Sequence, residues 1–214
     1  IVRYVMSCSK LNYIKITWFG GEPLMAIPQI EEFYDKFSDK WKGTLISNII
    51  TTGYHIDTNA IRVIKKIGVS SVQITLDGMK ETHNKVKHLP TGEDVFERVL
   101  SNIELLNDLA PEINIVIRVN LTHENKHEYI QLCKLYSERF KGRKNLGIAP
   151  AFVLDRAASN CDPCKIKSTL FNHKELSEFI LDLAHKGFDS PFIRYPEPFF
   201  NECAIRNDMA IAFD

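Results

Sequence analysis

The chain has 214 residues, 44% hydrophobic and 25% charged, enough for one sizeable core within one or two domains. Lys+Arg and Asp+Glu balance at 27 each, and no basic stretch interleaves with aromatics, so charge points to neither a nucleic-acid nor a membrane partner. No apolar run approaches the roughly 20 residues that cross a bilayer. The opening IVRYVMSCSK lacks the apolar stretch of a secretory signal. Five cysteines, an odd number, argue against a secreted disulfide scaffold. The expected location is cytoplasmic.

In chain order, short β-branched runs alternate with longer amphipathic ones. Strands are predicted at Ile14 to Phe19, Thr44 to Thr51, Ser70 to Leu76, Ile113 to Leu121 and Leu146 to Leu154. Between the first two lies IPQIEEFYDKF, whose Ile27, Ile30, Phe33, Tyr34 and Phe37 recur at helical spacing. DTNAIRVIKKI follows the second strand, with Asp57 or Thr58 placed as a cap and Ile61, Ile64 and Ile67 on one face. Three further helices are predicted over EDVFERVLSNIELLNDL, NKHEYIQLCKLYSERF and HKELSEFILDLAHKGF. Repeated strand–helix units of this length are the pattern of right-handed crossovers on a parallel sheet. Periodicity alone leaves an α/β barrel, a part-barrel and a doubly wound sheet all open. The proline-bearing run GFDSPFIRYPEP, from Gly187 to Pro198, marks the end of the α/β body at about residue 190, so 191–214 reads as the start of a second region.

Just past the first strand the chain reads WFGGEPLM. Gly20 and Gly21 allow backbone angles closed to other residues, and Pro23 fixes its own φ while restraining Glu22. The product is a short, stiff turn offering carbonyl acceptors and one carboxylate, suited to an ammonium group and not to a phosphate.

On these residues the chain resembles the radical S-adenosylmethionine (radical SAM) enzymes, in which a GGEP turn after a barrel strand holds the amino group of the cofactor. The resemblance continues along most of residues 14 to 154. Thr51, Thr52 and Gly53 stand where the family has TNG, and Thr75, Leu76, Asp77 and Gly78 stand for SLDG, with Thr75 at the position that commonly faces the ribose. His83 matches, whereas Lys87 replaces an arginine and cannot reproduce a planar bidentate contact. IRVNLTHEN, Ile117 to Asn125, is similar to the following strand and the asparagine that opens the next helix. The resemblance implies a partial parallel (β/α) barrel lacking its first strand. It also implies S-adenosylmethionine and [4Fe-4S] cofactors, with Gly20, Gly21, Glu22, Pro23, Thr52, Thr75, Asp77 and Arg118 as cofactor-binding candidates. The expected activity is reductive cleavage of S-adenosylmethionine to a 5′-deoxyadenosyl radical for hydrogen abstraction. An external electron donor supplies the electron. A peptide or protein is the leading substrate class, as for the anaerobic sulfatase-maturating enzymes.

The family's CxxxCxxC cluster loop has no counterpart here, because Cys8 lacks partners at that spacing. The chain therefore reads as the central piece of a longer enzyme, inactive by itself. Cys203 resembles the first cysteine of a SPASM extension, a ligand of an auxiliary cluster.

Other signals compete. Cys161 and Cys164 form CDPC, half of a tetrahedral thiolate site or a redox dithiol, or else plain loop cysteines. Cys133 falls on the apolar face of its helix and reads as core. His123, Glu124 and His127 form HENKH, a formal match to a zinc-hydrolase motif. That chemistry needs both histidines on one face in mid-helix, whereas this string directly follows a strand. A zinc hydrolase and a non-catalytic peptide-binding barrel are the alternative readings.

Overall fold

The structure is a computed structural model, and it describes residues 12–152, 171 and 173–188. Five strands form one parallel sheet in the order β1-β2-β3-β4-β5: Tyr13–Trp18, Thr44–Thr51, Val69–Leu76, Asn114–Leu121 and Leu146–Phe152. Six α-helices occur among the described residues: α1 Ile27–Ser38, α2 Thr58–Lys66, α3 Lys80–Val86, α4 Val95–Leu109, α5 Tyr129–Arg139 and α6 His173–His185.

The strand order decides between the architectures that periodicity left open. A doubly wound sheet reverses its winding at a switch point, and helices then bury both faces. Here the spatial order equals the chain order with no reversal. Same-handed crossovers then put every helix on one face, as in a barrel. The strands show the result. On β3, Val72, Ile74 and Leu76 are buried while Ser71, Gln73 and Thr75 are partly exposed. On β4, Ile115, Ile117, Val119 and Leu121 are buried while Asn114 and Arg118 are exposed. Such period-two alternation is foreign to a parallel sheet covered on both faces. The chain is α/β with a partial barrel of parallel strands.

The described residues fall into two compact units. The first comprises 12–74 and 98–116, and the second 75–97, 117–152, 171 and 173–188, so β3, α4 and β4 each contribute to both.

In the first unit, β1 pairs with β2 in register from Tyr13↔Thr44 to Trp18↔Ile49, and β2 pairs with β3 as far as Thr51↔Ile74. Trp18 is buried, donates its indole N–H to the Ser47 hydroxyl at 2.8 Å and packs edge-on against Phe33 of α1 with centroids 5.4 Å apart. α2 starts where Asp57 accepts the Ala60 N–H at 2.7 Å, so Asp57 is the cap and Thr58 the first helical residue. Outside, Arg62 forms a two-bonded pair with Glu31 (2.8 and 2.9 Å), and Lys66 reaches Glu31 and Asp35. These two cations hold the Glu31 carboxyl at about 2.

In the second unit, α3 is a helix that periodicity does not announce. Its seven residues bury only His83. It forms because its polar side chains are tied from outside. Asn84 bonds the Asp94 carboxylate at 2.9 Å and the Phe96 N–H at 2.8 Å, and Lys80 pairs with Asp94 at 2.6 Å. Farther along, Lys126–Glu128 is a single 3-10 turn, and α5 begins only at Tyr129. Cys133 lies buried on α5, as its apolar register requires, and burial pushes its thiol up to about 11. Phe152, Phe171 and Phe179 pack edge-on or tilted, with centroids 5.3–6.2 Å apart. No described helix is long and apolar enough to cross a membrane.

Candidate cofactor site

β1 ends at Trp18, and the chain then turns through Gly20 (φ +103°) and Gly21 (φ +36°), left-handed values that select glycine. Gly21 has open space where a side chain would stand, with nothing within 4 Å of an added Cβ. Backbone angle, not crowding, therefore requires glycine there, and that side of the turn is open to a ligand. Glu22 then caps a single 3-10 turn, Pro23–Ala26, with proline at its start and the Met25 N–H bonded to the Glu22 carbonyl at 3.1 Å.

The Glu22 side chain closes this turn onto the end of β2. Its Oε1 accepts from the Leu24 N–H at 3.1 Å and from the Thr51 hydroxyl at 2.6 Å. Its Oε2 accepts from the Thr52 N–H at 2.9 Å and from the Thr52 hydroxyl at 2.5 Å. Four donors fill the roughly four lone-pair positions of a carboxylate. Glu22 is thus the bolt between two strand ends, and the turn's backbone is what it holds in place. Thr52, which the sequence offered separately, is brought directly onto Glu22.

Gly53 follows at φ +81° and accepts nothing larger: an added Cβ would lie 2.7 Å from Ile74 Cγ2 and 3.2 Å from Val99 Cγ1. Asn102, buried on α4, donates to the Gly53 carbonyl at 2.9 Å and the Tyr54 carbonyl at 2.8 Å. Sequence reading missed Asn102. Its signal was a polar residue in register with the core positions Val99, Ile103 and Leu106.

In the second unit, Thr75 occupies the partly exposed face of β3, one residue before the strand's buried end at Leu76. Asp77 comes next and is itself buried. Its Oδ1 accepts from Asn120 Nδ2 at 3.0 Å, and its carbonyl accepts from Asn125 Nδ2 at 2.6 Å. Asp77 Oδ2 has no hydrogen-bond partner; Lys87 Nζ stands 3.7 Å away and His83 Nδ1 3.9 Å away. The lysine departure thus has a visible consequence, a carboxylate oxygen facing a cation that falls short of bonding distance. His83 Nδ1 accepts the Asp77 N–H at 3.2 Å, which leaves the proton on Nε2, a buried position with no acceptor. Burial, reinforced by Lys87 and opposed by Asp77, lowers the His83 pKa below its usual 6.5. Arg118 lies exposed on β4.

The helical arrangement that HENKH needs is absent from the structure. His123 and Glu124 lie in the turn after β4, and His127 belongs to the 3-10 turn, so no helical i,i+4 pair forms. His123 Nε2 instead meets Glu175 at 3.2 Å and its ring packs edge-on against Phe171. Among the described residues no group of three or more His, Cys, Asp or Glu could hold a metal ion.

Residues 1–136 match the sequence profile of the Radical SAM superfamily. The chain belongs to the radical SAM superfamily. Membership implies S-adenosylmethionine and a [4Fe-4S] cluster, and supports radical chemistry driven by that cofactor. A GTP 3',8-cyclase of Clostridium botulinum strain Hall is 31% identical over 140 residues, 64% of this chain and 42% of the relative. Native anSMEcpe with bound AdoMet and a Cp18Cys peptide aligns at TM-score 0.66 and 19% identity, covering 86% of this chain and 49% of that one. A histidine-tagged anSMEcpe with bound AdoMet aligns at 0.67 and 20%, with the same coverage. At such identity the structural likeness speaks for the fold. The chain spans about half the length of these relatives, or less.

The residues present fit the two implied groups unequally. A glycine-built turn with an open side suits an S-adenosylmethionine ammonium group. Cluster ligands are a different matter: among the described residues the sole cysteine is Cys133, buried and held as a thiol. Cys8, Cys161, Cys164 and Cys203 lie outside the described residues.

Proposed function

We propose that this chain is the S-adenosylmethionine-binding part of a radical SAM enzyme that abstracts hydrogen from a peptide or protein. The observation that carries it is the Glu22 lock, four hydrogen bonds that hold the glycine turn rigid beside an open flank. In this reading the backbone carbonyls of Gly20 to Pro23 accept the cofactor's ammonium group. Glu22 and Thr52 fix the turn, with the carboxylate adding negative charge nearby. By the family resemblance, Thr75 is assigned to a ribose hydroxyl, and Asp77 and Arg118 to cofactor binding. When bound at a reduced cluster, S-adenosylmethionine supplies the 5′-deoxyadenosyl radical. This chain's own part is binding, orientation and exclusion of water.

The peptide assignment draws on anSMEcpe, whose structure holds both AdoMet and a peptide. A second reading, a nucleotide substrate, draws on the GTP 3',8-cyclase likeness over 140 residues. The decisive assay uses the full-length protein, reconstituted anaerobically with iron and sulfide, reduced, and given S-adenosylmethionine. Formation of 5′-deoxyadenosine supports the reading, and its absence refutes it. Stimulation by cysteine-bearing peptides and not by GTP favours the peptide substrate, and the converse favours the nucleotide. The same assay on the 214-residue chain is expected to give no product, because no three of its cysteines have the CxxxCxxC spacing.

A further inference from the structure

We infer that Glu128 is a positioning residue for the turn after β3, holding Thr75 and Asp77 in the conformation that binds the cofactor. The inference rests on the proposed S-adenosylmethionine site and adds a residue that contacts no ligand itself.

Locally the turn Asp77-Gly78-Met79 is tied only to His83, whose Nδ1 accepts the Asp77 N–H at 3.2 Å and whose backbone N–H donates to the Met79 carbonyl at 2.8 Å. The Met79 N–H is left to a distant partner. The cap position of α3 is Met79, whose side chain offers no acceptor, so the helix begins without a cap of its own. Glu128, 49 residues later, supplies one. Its Oε2 accepts the Met79 N–H, and its Oε1 accepts the Thr82 hydroxyl at 2.6 Å. A carboxylate at the first turn of a helix also meets the positive end of the local peptide dipoles.

The same carboxylate explains Gly78. An added Cβ would stand 2.5 Å from Glu128 Oε2 and 2.9 Å from Thr82 Cβ, and φ is +138°. Glycine is therefore required so that the acid can lie directly over the backbone. Asn125 reinforces the arrangement from the same stretch of chain. Its amide donates to the Asp77 and Asn120 carbonyls at 2.6 and 2.9 Å, while its oxygen accepts the Thr122 N–H at 2.7 Å. All four hydrogen-bonding positions of this buried amide are used, the last by the Thr122 hydroxyl at 3.3 Å. The turn after β4 is thus built to grip the turn after β3. Thr75 is two residues before the gripped segment, on a strand whose last residue, Leu76, is fully buried. Rotation of Asp77 or Gly78 would be carried back along the strand to the Thr75 hydroxyl.

A residue that only orients a binding surface affects affinity before chemistry. In the full-length enzyme, Glu128→Gln turns an amide NH2 or a single oxygen toward the Met79 and Thr82 donors. It is expected to raise the KM for S-adenosylmethionine about tenfold, with kcat at saturation within about twofold of wild type. Thr82→Val removes one of the two bonds and leaves the acid in place. It is expected to raise KM less, and the double variant no more than Glu128→Gln alone, because both act at one carboxylate. Glu124→Gln, exposed in the same loop, serves as control. If wild type makes no 5′-deoxyadenosine, the site reading itself fails. If wild type is active and Glu128→Gln leaves KM unchanged, or lowers kcat alone, the positioning role is overturned. Should Glu128→Gln fail to fold, an unchanged KM in Thr82→Val overturns it equally.

Discussion

Replacing Glu22 with glutamine keeps the side-chain volume and exchanges one oxygen for NH2. In the native turn each carboxylate oxygen takes one backbone N–H and one threonine hydroxyl: Leu24 and Thr51 on one side, Thr52 twice on the other. The hydroxyls can rotate and accept from the new NH2, but a backbone N–H can only donate. Whichever way the amide lies, one backbone N–H therefore faces another donor and loses its partner. A donor left unmade in a part-buried site costs about 1–3 kcal/mol. For a chain of this length each kcal/mol lowers Tm by about 2–4 °C, so the expected drop is about 2–12 °C. Circular dichroism melting of Glu22→Gln beside Glu124→Gln measures it. In the active enzyme the same substitution should weaken S-adenosylmethionine binding about tenfold or more. A Tm within about 1 °C of both wild type and the control, the range of a surface substitution, would refute the lock.

Gly53→Ala forces a Cβ to 2.7 Å from Ile74 Cγ2 at φ +81°; a lower denaturant midpoint with unchanged slope, worth about 1–3 kcal/mol, is expected, and an unaltered midpoint contradicts the packing. Lys87→Arg brings a planar donor pair toward Asp77 Oδ2, which lacks a hydrogen bond; the expected gain is about 1 kcal/mol, read as a higher Tm, and no gain would mean that Arg cannot reach. His83 is buried with its pKa lowered below 6.5. The unfolded chain therefore binds a proton that the folded chain refuses, so stability present above about pH 6.5 is lost as pH falls toward the depressed value. Denaturant titrations at about pH 7.5 and 5.5 should show this slope in wild type and a smaller one in His83→Gln; equal slopes would place the pH dependence elsewhere.

Local periodicity carried much of the fold. The apolar spacing names the buried face of three helices: Ile27, Ile30 and Phe37 are buried with Phe33 and Tyr34 half-buried at its edge, and Ile61, Ile64, Val99, Ile103 and Leu106 are all buried. The five strands agree with their predicted spans to within about two residues, the ordinary uncertainty of such ends. The glycine turn after the first strand was equally legible, because glycine and proline act on their own backbone angles whatever surrounds them.

Only tertiary structure decided the rest. Glu22 read as a lone carboxylate in a turn; its partners Thr51 and Thr52 lie 29 and 30 residues away and leave no periodic trace. The helix Lys80–Val86 has no apolar stripe, and its cap is Glu128, from a turn that sequence reading treated as plain helix. HENKH looked like a metal motif as a string, yet the end of β4 places its two histidines in different turns. Periodicity left a partial barrel and a doubly wound sheet both open; the family resemblance implied the barrel, and the strand order, which no single segment encodes, bears it out. Hydrophobic spacing reports which side of an element is buried. Which distant donor meets a given acceptor depends on the chain path between them, and that is set only when the strands come together.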